Sequence, residues 1–209
     1  MNIRNYKAII FIIATTLFLS GCKTLNNLKD TFSNLQRLEF KLDNVNQFRL
    51  AGVNLSNISS LNDISLVDGI KLTQAFANKR LPAQFVLNVD AKNPNDGKGG
   101  SKQSSATLTS FDWKLYIDDK ETIAGDINND FTVPGTGQSE TIPLAMNIDL
   151  YEFFGNKGYE DMIRLALAIG GQNGSAARLK LDARPTVNTS LGNINYPSRI
   201  TIVDKDWTN

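Results

Sequence analysis

The side chains that most often do chemistry in proteins are scarce in this sequence. It contains one cysteine, Cys22, and no histidine. Ser–His and Cys–His catalytic sites and histidine-ligated metal sites all need histidine, so they are excluded. Carboxylates remain, but they lie mainly on the polar side of alternating segments and in turns such as Asp118–Asp119. Because a solvated carboxylate is a poor general acid, we expect neither an enzyme nor a bound cofactor.

Three oxygen-bearing side chains at alternate positions, Asp126, Asn128 and Asp130, are spaced like the opening of a calcium-binding loop. The positions that follow do not fit such a loop. Phe131 stands where the sharp turn needs glycine, and Gly137 stands where the bidentate glutamate belongs. The alternation instead predicts that the three residues form the solvent side of a strand. They are the one candidate metal site, and no bound metal is expected.

Aromatic residues near the end of the sequence could bind a sugar. Tyr196 and Trp207 lie where they could be exposed and stack on a sugar ring, or they could be packing residues of a terminal strand. Trp113, in contrast, is in phase with Phe111 and Leu115 and is predicted to lie in the core.

The first 21 residues have the features of an export signal. Arg4 and Lys7 precede an uncharged run, residues 8–19, which is shorter than the roughly 20 apolar residues of a membrane-spanning helix. The next residues, LSGC at 19–22, resemble the lipobox of bacterial lipoproteins. The resemblance implies cleavage before Cys22 and attachment of palmitate-like acyl chains to it, and several such chains anchor a protein firmly. An ordinary secretory signal with an unrelated cysteine is the alternative.

Residues 22–37 are expected to be a lipidated tether. Leu25, Leu28, Phe32 and Leu35 are spaced three and four residues apart, which is a narrow helical stripe. A short amphipathic helix and a flexible tether both remain open.

Charge and sorting signals limit the partners. The 22 Lys and Arg residues nearly balance the 21 Asp and Glu residues, so nothing indicates a nucleic-acid partner. We expect contact with the membrane through the anchor, envelope proteins as partners, and no small-molecule ligand.

No aspartate directly follows Cys22. By resemblance to lipoprotein sorting rules, this favours the outer membrane, facing the periplasm.

From residue 38 onward the apolar period changes to two, which predicts half-buried strands. A slip in phase after Leu50 indicates a bulge near Gly52. The pattern gives seven or eight strands, each with one solvent-exposed face. It predicts a mainly β domain over residues 38–209, in which two antiparallel sheets pack as a sandwich. The alternating segments are 38–42, 47–55, 85–91, 111–117, 123–133, 142–148, 179–183 and 200–202.

Two segments break the period of two and predict short helices. Ser65 and Asp68 form a capping-box-like start for a helix that runs to about Asn78. Tyr159 to Ile169 places apolar residues on one helical face before a Gly-Gly pair. We expect these helices to cover an open end or edge of the sandwich.

The segment LPAQFVLNVDAKNPND at 81–96 resembles the Asn-Pro-Asn signature of type 2 late-embryogenesis-abundant (LEA) proteins, also called the water-stress and hypersensitive-response (WHy) domain. Segments 110–127 and 131–148 resemble the hairpin and the Pro/Gly turn that follow in that family, and the match covers roughly residues 38–203. The resemblance implies a fibronectin III or immunoglobulin-like sandwich, a role in desiccation stress and no catalytic residues. The chain looks closest to bacterial lipoprotein versions. Physically, Asn93, Pro94 and Asn95 are expected to form a structural turn.

These observations predict a membrane-anchored lipoprotein of the cell envelope with a non-catalytic domain that is stress-protective or protein-binding. The alternative is a carbohydrate- or cell-wall-binding module. An enzyme that works through carboxylates alone is a third, separate hypothesis.

Overall fold

The computed structural model describes residues 38–98, 102–170, 176–189 and 192–208. The predicted signal peptide and tether, with Cys22, lie outside these residues. The strands are β1 (Glu39–Leu50), β2 (Val53–Asn54), β3 (Pro82–Lys92), β4 (Ala106–Ile117), β5 (Lys120–Gly125), β6 (Phe131–Val133), β7 (Ser139–Asp149), β8 (Leu179–Thr189), β9 (Gly192–Asn195) and β10 (Ile200–Ile202). The helices are a 3-10 helix (Leu61–Asp63), α1 (Leu66–Ala77), α2 (Leu150–Phe154) and α3 (Tyr159–Gly170). None of these helices is long and apolar enough to span a bilayer.

The strands form two antiparallel sheets, as the alternating pattern predicts. The first sheet has the order β2-β1-β3-β7, and the second has β10-β8-β4-β5, with β6 also paired to β4 and β9 to β8. The inner faces meet in one core, where the ring of Phe40 on β1 lies 5.3 Å from the ring of Phe111 on β4. The predicted mainly β, two-sheet sandwich is therefore confirmed.

The core is built from the inward residue of each alternating pair. On β3, residues 83, 85, 87, 89 and 91 are buried and their neighbours are more exposed. Each large apolar side chain buried in this way contributes about 1.5–3 kcal/mol. Trp113 is 5 % exposed, so its predicted core position is confirmed. Its ring fills the space beside Gly125 on β5, where an added Cβ would overlap the ring.

The first strand differs from the prediction of two strands with a bulge near Gly52. β1 is one strand, and its irregularities lie between Leu42 and Val45 and between Asn46 and Arg49. Ala51 and Gly52 instead form a two-residue turn with φ values of 47° and 80°, which leads into β2. Both central residues of a type I′ hairpin turn need a positive φ, so the slip in phase marks a turn.

The predicted strand over residues 123–133 is also interrupted. β5 ends at Gly125, and a loop over residues 126–130 precedes β6. β6 is a separate short strand that pairs with the start of β4, far from the end of β4 that pairs with β5. The continuous strand was a wrong prediction, because the apolar spacing continues by coincidence through the loop.

Both predicted helices are confirmed. Ser65 precedes α1, its Oγ accepts a hydrogen bond from the backbone N–H of Asp68 at 3.1 Å, and it donates to the Asp68 carboxylate at 2.8 Å. The hydroxyl of Ser65 is the main reason that the pKa of Asp68 lies below its ordinary value, with Lys71 adding to the effect. α3 ends at Gly170 and buries one face, which contacts β1.

Candidate functional site

The Asn-Pro-Asn segment, residues 93–95, lies at a buried junction after β3. Asn93 and Asn95 are 1 % and 2 % exposed and are the buried polar side chains among the described residues. The Asn93 amide donates to the carbonyl oxygens of Ser104, at 2.8 Å, and Val133, at 3.2 Å. Its Oδ1 accepts from the backbone N–H of Asn95 at 3.2 Å and from the Asn95 amide at 2.9 Å. One side chain therefore joins β3, the segment before β4 and β6.

The backbone around this junction packs equally closely. Gly137 N–H donates to the carbonyl of Asn93 at 3.2 Å, and Ser104 N–H donates to that of Asn95, also at 3.2 Å. A Cβ on Gly135 would overlap the carbonyl oxygens of Asn95 and Ser104. The Asn-Pro-Asn residues therefore hold strand ends together.

The three residues of the candidate metal site, Asp126, Asn128 and Asp130, lie in a loop and differ from one another in their contacts. The Asp126 carboxylate accepts hydrogen bonds from the backbone N–H of Phe111, from the Ser110 hydroxyl at 2.6 Å and from the backbone N–H of Ile127 at 2.7 Å. Asn128 and Asp130 are exposed in the loop before β6, which corrects their predicted strand position. Within the part of the chain that is described, no three His, Cys, Asp or Glu side chains are grouped to hold a metal ion.

One of the two interpretations of Tyr196, that it is exposed and stacks on a sugar ring, is wrong. Only 6 % of it is exposed, and burial raises the pKa of its hydroxyl far above the ordinary value. Its backbone N–H donates to Pro185 and its carbonyl accepts from Arg184 Nε, both at 2.9 Å. Tyr196 therefore packs as a core residue beside β8.

Trp207 is half-buried against β1. The ammonium groups of Lys41 and Lys92 lie 5.4 and 5.6 Å from the centroid of its ring, a cation–π arrangement. The next residue, Thr208, bonds the backbone of Phe40 in both directions, each at 3.0 Å. The ring is thus engaged by the protein's own cations, which weakens the prediction that it stacks on a sugar.

Helix α1 has an exposed apolar surface that was not predicted from the sequence. Leu66, Val67 and Ile70 are 82 %, 63 % and 50 % exposed, and we call these three residues the α1 apolar face. The other side of the helix is packed, because Leu72 is buried and the ring of Phe76 makes edge contacts with two tyrosines. The signal was present in the sequence, since positions 66, 67 and 70 form a second apolar stripe on the helix.

A groove of about 510 Å³ adjoins the α1 apolar face. Leu61 and Ile64 line it from the segment before α1, and Tyr159 lines it from the start of α3. Glu160 and several uncharged polar side chains also line it, and the Glu160 carboxylate lies 3.9 Å from Arg164. The groove therefore combines apolar and polar side chains, with more apolar than polar surface.

Comparisons with known proteins give no assignment. No family model matches the chain, and no curated protein matches it. A crystal structure of a protein from Archaeoglobus fulgidus is similar over 61 % of this chain and 84 % of its own, with 9 % identity and a TM-score of 0.32. The solution structure of a proposed late embryogenesis abundant (LEA) protein is similar over 93 % of this chain and 87 % of its own, with 14 % identity and a TM-score of 0.33.

Proposed function

We propose that this chain is a lipid-anchored lipoprotein whose non-catalytic β-sandwich binds and protects other proteins of the cell envelope. The lipobox-like LSGC and the Asn-Pro-Asn segment support the anchoring and the stress-related role by resemblance. The single observation that supports protein binding is the α1 apolar face, which is exposed on a well-capped helix.

The α1 apolar face fits an apolar segment of a partly unfolded protein. Contiguous exposed apolar residues on a protein surface commonly mark interaction sites. Burial of one such side chain contributes about 1.5–3 kcal/mol. The adjoining groove could receive such a segment, as apolar grooves receive amphipathic helices. Because Glu160, a charged residue of its lining, lies 3.9 Å from Arg164, apolar character would outweigh charge in selecting the client.

Replacing the α1 apolar face with glutamine tests this proposal. The variant Leu66→Gln/Val67→Gln/Ile70→Gln should need at least about tenfold more protein to give the same protection, since the loss of even one apolar contact, about 1.5 kcal/mol, corresponds to about tenfold. The measurement is light scattering by a model enzyme, lactate dehydrogenase, after cycles of drying and rehydration.

The matched control carries three glutamines at other exposed positions on or next to α1, and it should protect like the parent. Equal protection by the α1 variant and the parent would contradict the proposed contact surface. The control substitutions are Ala77→Gln, Asn78→Gln and Lys79→Gln.

A separate experiment tests the anchor. Cys22→Ser should yield a chain that has no acyl chains and keeps its first 21 residues, because Cys22 is both the attachment site and part of the cleavage signal. Mass spectrometry of the amino-terminal peptide should find acyl chains on the parent, and Ser33→Ala should leave both results unchanged. An acylated or normally cleaved Cys22→Ser variant, or an unmodified thiol in the parent, would contradict lipidation. Separation of inner and outer membranes tests the proposed outer-membrane location.

The alternative function, a carbohydrate- or cell-wall-binding module, has less support from its two proposed aromatic residues. Tyr196 is buried, and two lysines lie over the half-buried ring of Trp207. Support for sugar binding would have to come from another surface.

A further inference from the structure

Four polar side chains form one row across the outer face of the first sheet. Asn54, Arg49, Gln84 and Asn147 are register neighbours on β2, β1, β3 and β7. All four are exposed and alternate with buried residues, so they share the outer face. With strands about 4.8 Å apart, the row is roughly 14 Å long. We call these residues the Arg49 row.

A groove of about 490 Å³ lies along the Arg49 row. This volume falls in the usual range for ligand sites, which is about 300–1,000 Å³. Val86 and Ala145, which are opposite each other on β3 and β7, line the groove beside the row. Gln47 adds another amide at the irregularity of β1, where its φ is 56°. The groove thus has a polar side of amides with one guanidinium and an apolar side of small side chains.

Arg49 has no carboxylate partner among the residues that the structure describes. Among the described residues Arg49 makes no ion pair, and no acidic residue lines the groove. The outer face of the second sheet is different, because Lys114 pairs there with Glu121, and Arg199 pairs with Asp112. A guanidinium among neutral amides attracts an anion, and its planar fork matches a carboxylate in particular.

We propose that the groove along the Arg49 row binds an acidic oligosaccharide. Arg49 would bind the ring carboxylate, and the amides of Gln84, Asn147 and Asn54 would bind hydroxyl groups, because an amide, like a hydroxyl, both donates and accepts hydrogen bonds. Val86 and Ala145 would contact the C–H face of a sugar ring. A peptide strand that adds to a sheet lies along an edge strand, whereas the Arg49 row runs across all four strands, which favours the sugar.

Trigalacturonate and its methyl ester are the probes, since they differ in charge and share the sugar rings. Isothermal titration of the protein purified from cell envelopes should detect trigalacturonate binding at least about tenfold tighter than ester binding, because a charge-assisted bidentate pair is lost. Arg49→Gln should weaken binding of the acid by about tenfold and leave binding of the ester unchanged. Arg80→Gln, which removes an exposed arginine elsewhere, should behave like the parent.

Gln84→Ala separates the two parts of the site, because it should weaken acid and ester binding by the same factor. Absence of trigalacturonate binding, equal affinity for acid and ester, or an Arg49→Gln variant that binds like Arg80→Gln would each overturn the proposal. An acidic tripeptide that binds more tightly than trigalacturonate would overturn the sugar as the ligand. The comparison of acid with ester needs no variant, so it stands even if a variant misfolds. The α1 glutamine variant should bind trigalacturonate normally, which keeps this result independent of client protection.

Discussion

Replacing Asn93 by alanine is expected to lower the free energy of unfolding by about 3–4 kcal/mol. The substitution removes two donated hydrogen bonds, to the carbonyls of Ser104 and Val133, and two that Asn93 accepts from Asn95. A buried polar group without a partner costs about 1–3 kcal/mol, and several groups would lose their partner at once. The expected loss of stability is smaller than the sum of these costs, because water could enter the space that the side chain leaves.

Urea unfolding followed by tryptophan fluorescence measures this effect. Asn62→Ala, at an exposed position of the 3-10 helix, is the matched control and should change stability by no more than about 0.5 kcal/mol. Asn93→Asp should destabilise at least as much as Asn93→Ala, because it keeps the acceptor but removes both donors and buries a carboxylate. An Asn93→Ala variant as stable as Asn62→Ala would contradict the structural role of the junction.

The second large effect is expected at Gly170, the last residue of α3. A Cβ at this position would overlap the ring of Phe48, which is 1 % exposed and stacks on Phe85 with ring centroids 5.3 Å apart. Phe48 therefore has no solvent space to move into. We expect Gly170→Ala to lower the free energy of unfolding by about 3 kcal/mol, the upper part of the range for an overpacked core.

Gly69 in α1 provides a control with the same chemical change. An added Cβ there meets no atom within 4 Å, and the residue lies inside a helix. Because alanine is the better helix former, Gly69→Ala should leave stability unchanged or raise it by up to about 1 kcal/mol. Both variants are compared by urea unfolding. Similar effects at the two positions would show that packing of Gly170 against Phe48 does not govern the result.

Local patterns were enough to predict most of the elements that make up the sandwich. The residues from Ile142 to Ile148 alternate strictly, because β7 has one face on the core and one in solvent. Ser65 and Asp68 predicted the start of α1, because a helix cap is a contact between residues close in sequence. Both signals depend only on neighbouring residues, so a single sequence contains them.

The features that the sequence did not reveal depend on distant partners. The turn at Ala51–Gly52 could be told from a bulge only once Leu50 was seen to pair with Val53. The burial of Tyr196 depends on its contact with Pro185 and β8. The Arg49 row needs the register of four strands, and no local pattern in the sequence specifies that register.

The two ends of the described sandwich are bonded to each other, and this has a consequence for how the molecule is made. Phe40 and Thr208, which exchange backbone and hydroxyl hydrogen bonds, are 168 positions apart in sequence. During synthesis, the first strand emerges from the ribosome long before the residues that complete its hydrogen bonding. Unpaired strand edges in partly folded chains are prone to aggregation. The nascent polypeptide therefore depends on keeping its first described strand out of wrong pairings until Thr208 is available.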